Sequence, residues 1–336
     1  MDLHLNISNI SSYQRCNNSD YKFPIYTVVY LLIFLVGFIF NASALYVFLC
    51  LIHRRTSNNV FMTNLAVSDL FFTLTLPLRI VYYLRQGDWI FGSLLCGISI
   101  YAFYVNMYTS IFFLAALSVS RYVAVLYPMS VREVFSLKKS IVISVTIWLV
   151  VGLATSPFLL AESFSVKGKI RCFEPKDNSS LTRILLMNYS GLVLGFTLPF
   201  LIIVLCYARI ISHLKGSSQD LKVCWPSRGR AIALIKLVLC VFLFCFLPYH
   251  IQRTVHLHSV VSRRSDCSVT LLMQKMVVLT ICMASINSCF NPLLYYFSGA
   301  SFRSALQVKV RHSSLGSSLV PKFNWGRDVL GQKATQ

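Results

Sequence analysis

Residues 25–50 read IYTVVYLLIFLVGFIFNASALYVFLC, a run without a single charged side chain. A transmembrane helix needs about 20 predominantly apolar residues, because the hydrocarbon core of a bilayer is about 30 Å thick. This run is therefore long enough to cross a membrane. Six further apolar runs follow it along the chain, at 60–84, 94–126, 140–161, 183–211, 231–258 and 270–297.

The composition of the whole chain agrees with a membrane protein. Of its 336 residues, 56% are hydrophobic and 12% are charged, and the mean hydropathy is +0.66. That is too apolar for the surface of a soluble domain. The runs are long and continuous, whereas the strands of a membrane barrel are alternating segments of about 10 residues. We therefore predict an all-α membrane protein, a seven-transmembrane helix bundle whose backbone polar groups are satisfied within helices.

The basic residues of the connecting loops predict how the chain crosses the membrane. The loop HRR at 53–55 contains no acidic residue, and VREVFSLKKS at 131–140 has a net positive charge. The segment 209–230 contains several basic residues and a single acidic one, Asp220. Because cytoplasmic loops are enriched in Lys and Arg, these loops are predicted to be cytoplasmic. We therefore expect a multi-pass protein of the plasma membrane with its N-terminus outside.

This orientation divides the chain into four segments. Residues 1–24 are predicted to be an extracellular tail, with no visible cleaved signal peptide, and 25–298 form the seven-transmembrane domain. The spacing of apolar residues in SFRSALQVKV predicts a short amphipathic eighth helix at 299–311, on the inner membrane surface. The serine-rich remainder, 312–336, has few apolar residues to bury, which predicts a disordered cytoplasmic tail.

The predicted outer segments contain residues typical of an oxidising, extracellular environment. Sequons that could carry N-linked glycans begin at Asn6, Asn9, Asn17 and Asn178. Of eleven cysteines in the chain, four lie on this side: Cys16, Cys96, Cys172 and Cys267. Disulfide bonds between them are permitted there, and four cysteines can pair in three ways. The sequence alone does not choose among these pairings.

The chain has a formal net charge of +20, and its basic residues occur on both sides of the membrane. One interpretation is ordinary solvated loop charge. The other is an electrostatic field that draws an anionic ligand from outside. Nucleic acid is not expected as a partner of a chain with seven membrane spans.

Asp69 is the one acidic residue deep within a predicted span. An ionised carboxylate there costs several kcal/mol unless it is paired or hydrated, which predicts a functional site. The predicted spans also supply polar side chains at Asn106, Ser110, Asn287 and Asn291. Their oxygens around one carboxylate could hold an allosteric Na⁺. The alternative is a hydrogen-bonded cluster that joins helices without an ion.

Eight short motifs occur in an order and spacing that resemble the rhodopsin-like G-protein-coupled receptors, and they cover all seven predicted spans. They are Asn41, LAVSDL with Asp69, Cys96, SRY with Arg121, Trp148, Pro199 with Tyr207, FLFCFLP ending at Pro248, and NPLLY from Asn291 to Tyr295. The resemblance implies a receptor rather than an enzyme. It also implies roles in activation and G-protein coupling for four residues: Arg121, Tyr207, Phe246 and Tyr295.

A narrower resemblance to the cysteinyl leukotriene receptors rests on LPLRIVYYL, YAFYVNMYTSIFF, SPFLLAE, RCFEP and LPYHIQRTVHLH. It implies a receptor for cysteinyl leukotrienes, anionic lipid mediators, that signals through q/11-class heterotrimeric G proteins and raises intracellular calcium. Arrestin is a further candidate partner. The resemblance pairs Cys96 with Cys172 and Cys16 with Cys267. It assigns ligand contacts to Arg79, Tyr104, Tyr108, Tyr249 and Arg253.

The residues themselves favour such a ligand. Arg79 lies ten residues beyond Asp69, about 15 Å further toward the outside, and Arg253 lies beyond the Pro248 kink. Guanidinium groups bind carboxylates, and tyrosines offer an apolar face with a hydroxyl. Tyr83 and the assigned tyrosines would therefore line a cleft for an amphiphile with carboxylates and a long acyl chain. The alternatives are arginines that reach lipid headgroups and tyrosines of an interfacial belt.

Two positions depart from the wider family's pattern. Ser120 precedes Arg121 where an acid is usual, so we expect measurable basal signalling, and Phe246 replaces a common tryptophan. Rival functions remain open at this point. A receptor of the same fold could bind a nucleotide or another anionic lipid. A transporter would need ionisable groups along a path across the membrane, which Asp69 alone hardly supplies.

Overall fold

The computed structural model describes residues 20–52, 56–161, 163–166, 168–173, 178–216, 225–262, 267–298 and 302–305. Within them, seven helices are long and apolar enough to cross a membrane, which confirms the predicted bundle. The first to seventh spans are Lys22–Leu51, Ser57–Leu84, Gly92–Leu126, Leu137–Leu160, Ile184–His213, Ile232–Ser259 and Ser268–Phe297.

Side-chain caps fix where two of the spans begin. The Thr56 hydroxyl accepts a hydrogen bond of 3.3 Å from the backbone N–H of Asn59 at the start of the second span. At the start of the fourth span, the Ser136 hydroxyl accepts a hydrogen bond from the backbone N–H of Lys139. Each cap satisfies a backbone donor that has no partner within its helix.

Four segments depart from regular α-helix. The first span ends in a π-helical segment, Val47–Leu51, and the fourth ends in a 3₁₀ segment, Ser156–Leu160. Further π-helical segments are Gly191–Thr197 in the fifth span and Phe242–Phe246 in the sixth. These last two come shortly before Pro199 and Pro248, which lack the N–H that a regular helix requires.

The outward and inward faces of the helices differ in chemistry. Large apolar side chains such as Leu74 and Leu205 are 60% and 65% exposed on the outside of the bundle. A contiguous apolar surface of this kind suits a lipid environment. Inside, the core is aromatic and aliphatic, and it also buries polar residues, including Asn41, Asp69 and Asn291.

A small β-hairpin lies between the fourth and fifth spans, which the all-α prediction did not include. Its strands are β1 (Phe164–Val166) and β2 (Lys169–Arg171), paired antiparallel. The hairpin is attached to the loop that precedes the third span, because Trp89 N–H donates to Ile170 O at 2.8 Å. The Ile170 N–H donates to the Asp88 carboxylate at 3.1 Å.

The predicted eighth helix, 299–311, is described only in part. Residues 302–305 are helical, and Phe302 is buried with its ring 5.2 Å from that of Phe48 in the first span. The other residues of that prediction, and the tails at 1–19 and 306–336, lie outside the described residues.

Candidate ligand-binding cleft

A cleft opens among the third, fourth, fifth and sixth spans. The space between its walls measures about 780 Å³, a volume that includes its open mouth. Its lining is mostly aromatic and aliphatic. The residues are Tyr104, Tyr108, Phe112, Val150, Val151, Ala154, Thr155, Phe158, Ile184, Met187, Asn188, Ser190, Gly191, Leu194, Gly195, Tyr249 and Arg253.

Arg253 is the charged residue of this lining. The half-buried Arg253 guanidinium donates to the Tyr104 hydroxyl at 3.5 Å, and the Tyr249 hydroxyl donates to the same oxygen at 3.4 Å. No carboxylate of the described residues forms an ion pair with Arg253. Its remaining N–H donors are therefore available for an anionic group in the cleft.

Neighbouring aromatic rings pack against Tyr104 and Tyr249, the two tyrosines beside Arg253. Tyr104 stacks on Phe158, with ring centroids 3.8 Å apart and planes 6° from parallel. Tyr249 packs against Phe103 at 5.9 Å on the third span. The tyrosine hydroxyls thus face the cleft while their rings are fixed by neighbours, so the cleft combines one cationic group with rigid apolar walls.

Arg79 lies outside this lining, in an aromatic cluster of the first three spans. Its side chain is 5% exposed and donates to the Ser99 carbonyl at 2.7 Å. The rings of Phe173, Phe103 and Tyr30 surround the guanidinium at 4.5, 5.6 and 5.8 Å. Its Nε has no hydrogen-bond partner among the described residues.

The ring nearest to the Arg79 guanidinium is that of Phe173. It has a φ of 70°, an uncommon backbone conformation for a residue other than glycine, and it follows Cys172. That cysteine is joined to Cys96 by a disulfide bond, with Cα atoms 6.0 Å apart. The loop therefore fixes the Phe173 ring over Arg79.

Of the six predicted ligand residues, the structure brings four together in the cleft: Tyr104, Tyr108, Tyr249 and Arg253. Tyr83 joins Arg79 in the neighbouring cluster, where its ring lies 4.5 Å from that of Tyr26. Both arginines point into the bundle. A ligand that used both would have to extend from the cleft to this second cluster.

Several lining residues were not identified from the sequence. Phe158 could have been found, because it follows Pro157 at the C-terminal end of the fourth span. Asn188 joins the fifth span to the sixth by donating to the Thr254 hydroxyl at 2.9 Å. Gly191 and Gly195 carry no side chain whose chemistry would have drawn attention.

The buried carboxylate of Asp69 is satisfied by two amides. Asn106 of the third span donates to one oxygen at 2.8 Å, and Asn291 of the seventh donates to the other at 2.8 Å. Asn41 of the first span donates to the Ser288 carbonyl at 2.8 Å. Three buried atoms of the predicted sodium cluster have no hydrogen-bond partner among the described residues: Ser110 Oγ, Asn287 Nδ2 and Asn291 Oδ1.

Three of the residues predicted to act in activation, Arg121, Tyr207 and Tyr295, lie near the C-terminal ends of their spans, and Phe246 lies near the middle of the sixth. The Tyr207 hydroxyl is 2.7 Å from that of Ser118, and the Tyr295 hydroxyl donates to Asn41 at 3.3 Å. Phe246 is buried, with its ring 5.4 Å from that of Phe242. Ser120, which precedes Arg121, donates to the Asn58 side chain at 2.9 Å. Their roles in signalling stay predictions.

The remaining site predictions fall mostly outside the described residues. These include the sequons at Asn6, Asn9 and Asn17, and the cysteine at Cys16. Cys267 begins the helix Cys267–Ser285 and Asn178 begins Asn178–Ser190, but their side chains are not described. The Cys16–Cys267 pair and the glycans stay predictions.

Comparison with known proteins agrees with this architecture. The model of the 7 transmembrane receptor (rhodopsin family) matches residues 40–295. The chain is similar to cysteinyl leukotriene receptor 1 of Sus scrofa, 41% identical over 95% of this chain and 94% of that protein. It is 41% identical to cysteinyl leukotriene receptor 2 of Mus musculus over 89% of this chain and 96% of that protein. Lysophosphatidic acid receptor 6 of Homo sapiens is 32% identical to it over 87% of this chain and 86% of that protein.

Proposed function

We propose that this chain, which belongs to the rhodopsin family of seven-transmembrane receptors, is a receptor for cysteinyl leukotrienes. Membership of the family establishes a multi-pass membrane receptor and confirms the prediction that the chain is not an enzyme. The ligand class is inferred from cysteinyl leukotriene receptors of types 1 and 2, which are 39–42% identical to this chain over most of its length.

The observation that carries this proposal is the position of Arg253. It is the one charged residue of the cleft lining, it is surrounded by tyrosines, and none of the described carboxylates pairs with it. An anionic head group would bind the guanidinium by charge-assisted hydrogen bonds. The acyl chain of the same ligand would lie along Phe112, Val151 and Leu194, where the walls are apolar.

Signalling follows from the same proposal. Arg121, Tyr207 and Tyr295 lie near the C-terminal ends of the third, fifth and seventh spans. In the proposed orientation these ends are cytoplasmic, and a heterotrimeric G protein would bind there. We assign the q/11 class and a rise in intracellular calcium on the basis of the resemblance to leukotriene receptors. Arrestin is proposed as a partner of the activated receptor.

We also propose that Na⁺ binds at Asp69 as an allosteric ion. The unpartnered oxygens of Ser110 and Asn291 support this proposal, because hard cations prefer oxygen ligands. Asn106 and Asn287 lie in the same hydrogen-bonded group, through Ser288. The site would join the second, third and seventh spans.

The ligand assignment is tested in cells that express the chain with a surface epitope. Leukotriene D4, leukotriene E4, UDP and lysophosphatidic acid are applied over a concentration series while calcium and inositol phosphates are recorded. We expect the leukotrienes to act at the lowest concentrations. A response to lysophosphatidic acid alone would favour the second candidate, a lysophospholipid receptor, for which the 32% identical relative is the specific support. Responses to UDP alone would contradict both.

A further inference from the structure

The fifth span lacks side chains at the two places where it faces Tyr108. Its π-helical segment, Gly191–Thr197, begins at Gly191 and also contains Gly195. A Cβ atom built at Gly191 would overlap the Tyr108 hydroxyl oxygen and lie 3.0 Å from its Cζ. A Cβ atom at Gly195 would lie 2.6 and 2.8 Å from Tyr108 Cε1 and Cδ1. Carbon atoms do not approach this closely without displacement.

The two glycines therefore form a slot for one ring. Gly191 receives the tip of the Tyr108 side chain, and Gly195 receives the edge of the ring. At each glycine, the three atoms nearest to the added Cβ all belong to the Tyr108 side chain. Small residues in membrane helices usually let two backbones come together. Here they accommodate a side chain that lines the cleft.

Other neighbours restrict where the ring could go. His250 of the sixth span lies with its ring 6.0 Å from that of Tyr108. His250 is itself held by stacking on Phe196 at 4.5 Å and by a hydrogen bond to the Phe246 carbonyl at 2.9 Å. The open space beside the Tyr108 ring is the cleft itself. A ring displaced from the slot would enter that space.

We propose that Gly191 and Gly195 are positioning residues of the ligand-binding cleft, which hold the Tyr108 ring against the fifth span and so keep the cleft open for its ligand. The identity of the ligand rests on the proposed function. The slot itself does not, because it follows from the contacts of Tyr108. A methyl group added at either glycine would push the Tyr108 ring into the cleft. The displaced ring would then occupy space that the ligand needs.

The test combines substitutions that add a methyl group with substitutions that shrink Tyr108. Gly191→Ala and Gly195→Ala are made singly, and each is combined with Tyr108→Phe and with Tyr108→Leu. Binding of radiolabelled leukotriene D4 to membranes is measured for all variants. We expect each alanine variant to bind about tenfold more weakly.

The atoms in contact predict different rescue for the two variants. Tyr108→Phe removes the hydroxyl, which is the closest contact at Gly191, and leaves only the 3.0 Å contact with Cζ. Gly191→Ala should therefore lose less affinity when it is made in Tyr108→Phe than when it is made in the unmodified protein. Tyr108→Phe should leave Gly195→Ala impaired, because that contact involves ring carbons. Tyr108→Leu should remove the effect of both alanines. A purely structural effect of alanine on the helix would not depend on residue 108 in this way.

Gly152→Ala in the fourth span is the matched control. The nearest atom to its added Cβ is the Tyr101 hydroxyl, at 3.2 Å, and Tyr101 is not among the residues that line the cleft. We expect its affinity to stay within about twofold of the unmodified protein. Unimpaired binding in both glycine variants, or a loss in Gly191→Ala and Gly195→Ala that neither change at residue 108 reduces, would overturn the proposal.

A ligand-free measurement separates this proposal from the proposed function. The melting temperature of the detergent-solubilised protein is recorded for the same set of variants. We expect Gly195→Ala to melt earlier than the unmodified protein, and Tyr108→Leu to abolish that difference. Where a variant fails to reach the cell surface, rescue of surface expression by Tyr108→Leu gives the same information. An absence of coupling in these measurements refutes the slot, whatever the ligand, whereas coupling without leukotriene binding refutes only the ligand assignment.

Discussion

At the scale of single residues, Arg253 has the most direct consequence. Within the described part of the chain, the hydrogen bond of its guanidinium is the one of 3.5 Å to the Tyr104 hydroxyl. We expect Arg253→Ala to reduce the potency of leukotriene D4 by about 1.5 to 3 kcal/mol, or roughly 10- to 150-fold, the scale of a hydrogen bond between charged groups. The measurement is a calcium dose–response curve at matched surface expression.

Arg253→Lys separates geometry from charge in this experiment. Lysine keeps the positive charge but loses the planar fork that binds a carboxylate with two parallel bonds. Its potency should fall between those of the unmodified protein and Arg253→Ala. Lys275→Ala, outside the cleft lining, controls for a general loss of positive charge. Unchanged potency in Arg253→Ala would refute the assignment.

Ser120 carries the second prediction at this scale. It donates to Asn58 at 2.9 Å and brings no negative charge beside Arg121. Ser120→Asp would place a carboxylate next to that guanidinium and stabilise the resting arrangement of the third span. We expect basal inositol phosphate production to fall in Ser120→Asp. Ser120→Ala, which adds no charge, should show no such fall, and equal output in Ser120→Asp and the unmodified protein would contradict the prediction.

The sequence predicted the cleft residues unevenly, and the reason is physical. Tyr104 and Tyr108 are one helical turn apart on the third span, so their common face could be derived from spacing alone. The enclosure of Arg79 depends on Phe173, a loop residue with a φ of 70°. The importance of Gly191 depends on which side chain lies opposite. Neither the enclosure of Arg79 nor the importance of Gly191 can be predicted without knowing which side chains pack together.

At the scale of elements, the irregular helical segments show a similar limit. Proline interrupts the hydrogen bonds of a helix, and Pro199 and Pro248 do follow irregular turns. The kind of irregularity, a π-helical turn, is set by how the span packs against its neighbours. The β-hairpin was missed because its strands have three residues each, too few for an alternating pattern to be recognised.

The third prediction concerns the Cys96–Cys172 disulfide bond beside the hairpin. Cys172 joins the hairpin to the third span, and its carbonyl accepts a 3.1 Å hydrogen bond from Tyr82. Removing a disulfide bond typically costs about 2 to 4 kcal/mol. We expect Cys96→Ser and Cys172→Ser each to lower the melting temperature by about 5 °C or more.

Cys50→Ser is the control for that experiment, because Cys50 is a free, exposed cysteine of the first span. Its melting temperature should not change. The double variant Cys96→Ser/Cys172→Ser should melt close to either single variant, since one bond is lost in all three. A stability equal to that of the unmodified protein would show that the bond contributes nothing.

The polar cluster around Asp69 gives the fourth prediction. A ligand that binds only the folded state stabilises it. We expect the melting temperature of the solubilised protein to rise by roughly 3 °C when Na⁺ replaces choline at about ten times its dissociation constant. Asp69→Asn should abolish the rise. A rise of equal size in K⁺, or one that persists in Asp69→Asn, would exclude this ion site.

At the scale of the whole molecule, the helical bundle was the part most readily predicted. Each predicted run coincides with one of the seven spans within a few residues, because membrane insertion requires length and apolarity, which any sequence displays directly. The arrangement of the spans around a cleft was not derivable from hydropathy. It depends on contacts such as the hydrogen bond of Trp148 to Asn64, at 2.9 Å.

The orientation of the molecule is the fifth prediction. An epitope tag placed before Met1 should be accessible to antibody in intact cells, because the loops rich in basic residues are retained in the cytoplasm. Treatment with an N-glycosidase should increase electrophoretic mobility. Replacing Asn6, Asn9 and Asn17 with glutamine should remove most of that shift. A tag that is labelled only after permeabilisation would reverse the proposed topology.

The hydrogen bonds of Asp69 have one more consequence. Both oxygens of this carboxylate already accept an amide from another span. Each carboxylate oxygen has a further lone pair, so a cation could bind Asp69 while Asn106 and Asn291 keep their hydrogen bonds to it. Sodium would then add to the hydrogen bonds that join the second, third and seventh spans, and the salt concentration of the medium would set how strongly the centre of the receptor is held together.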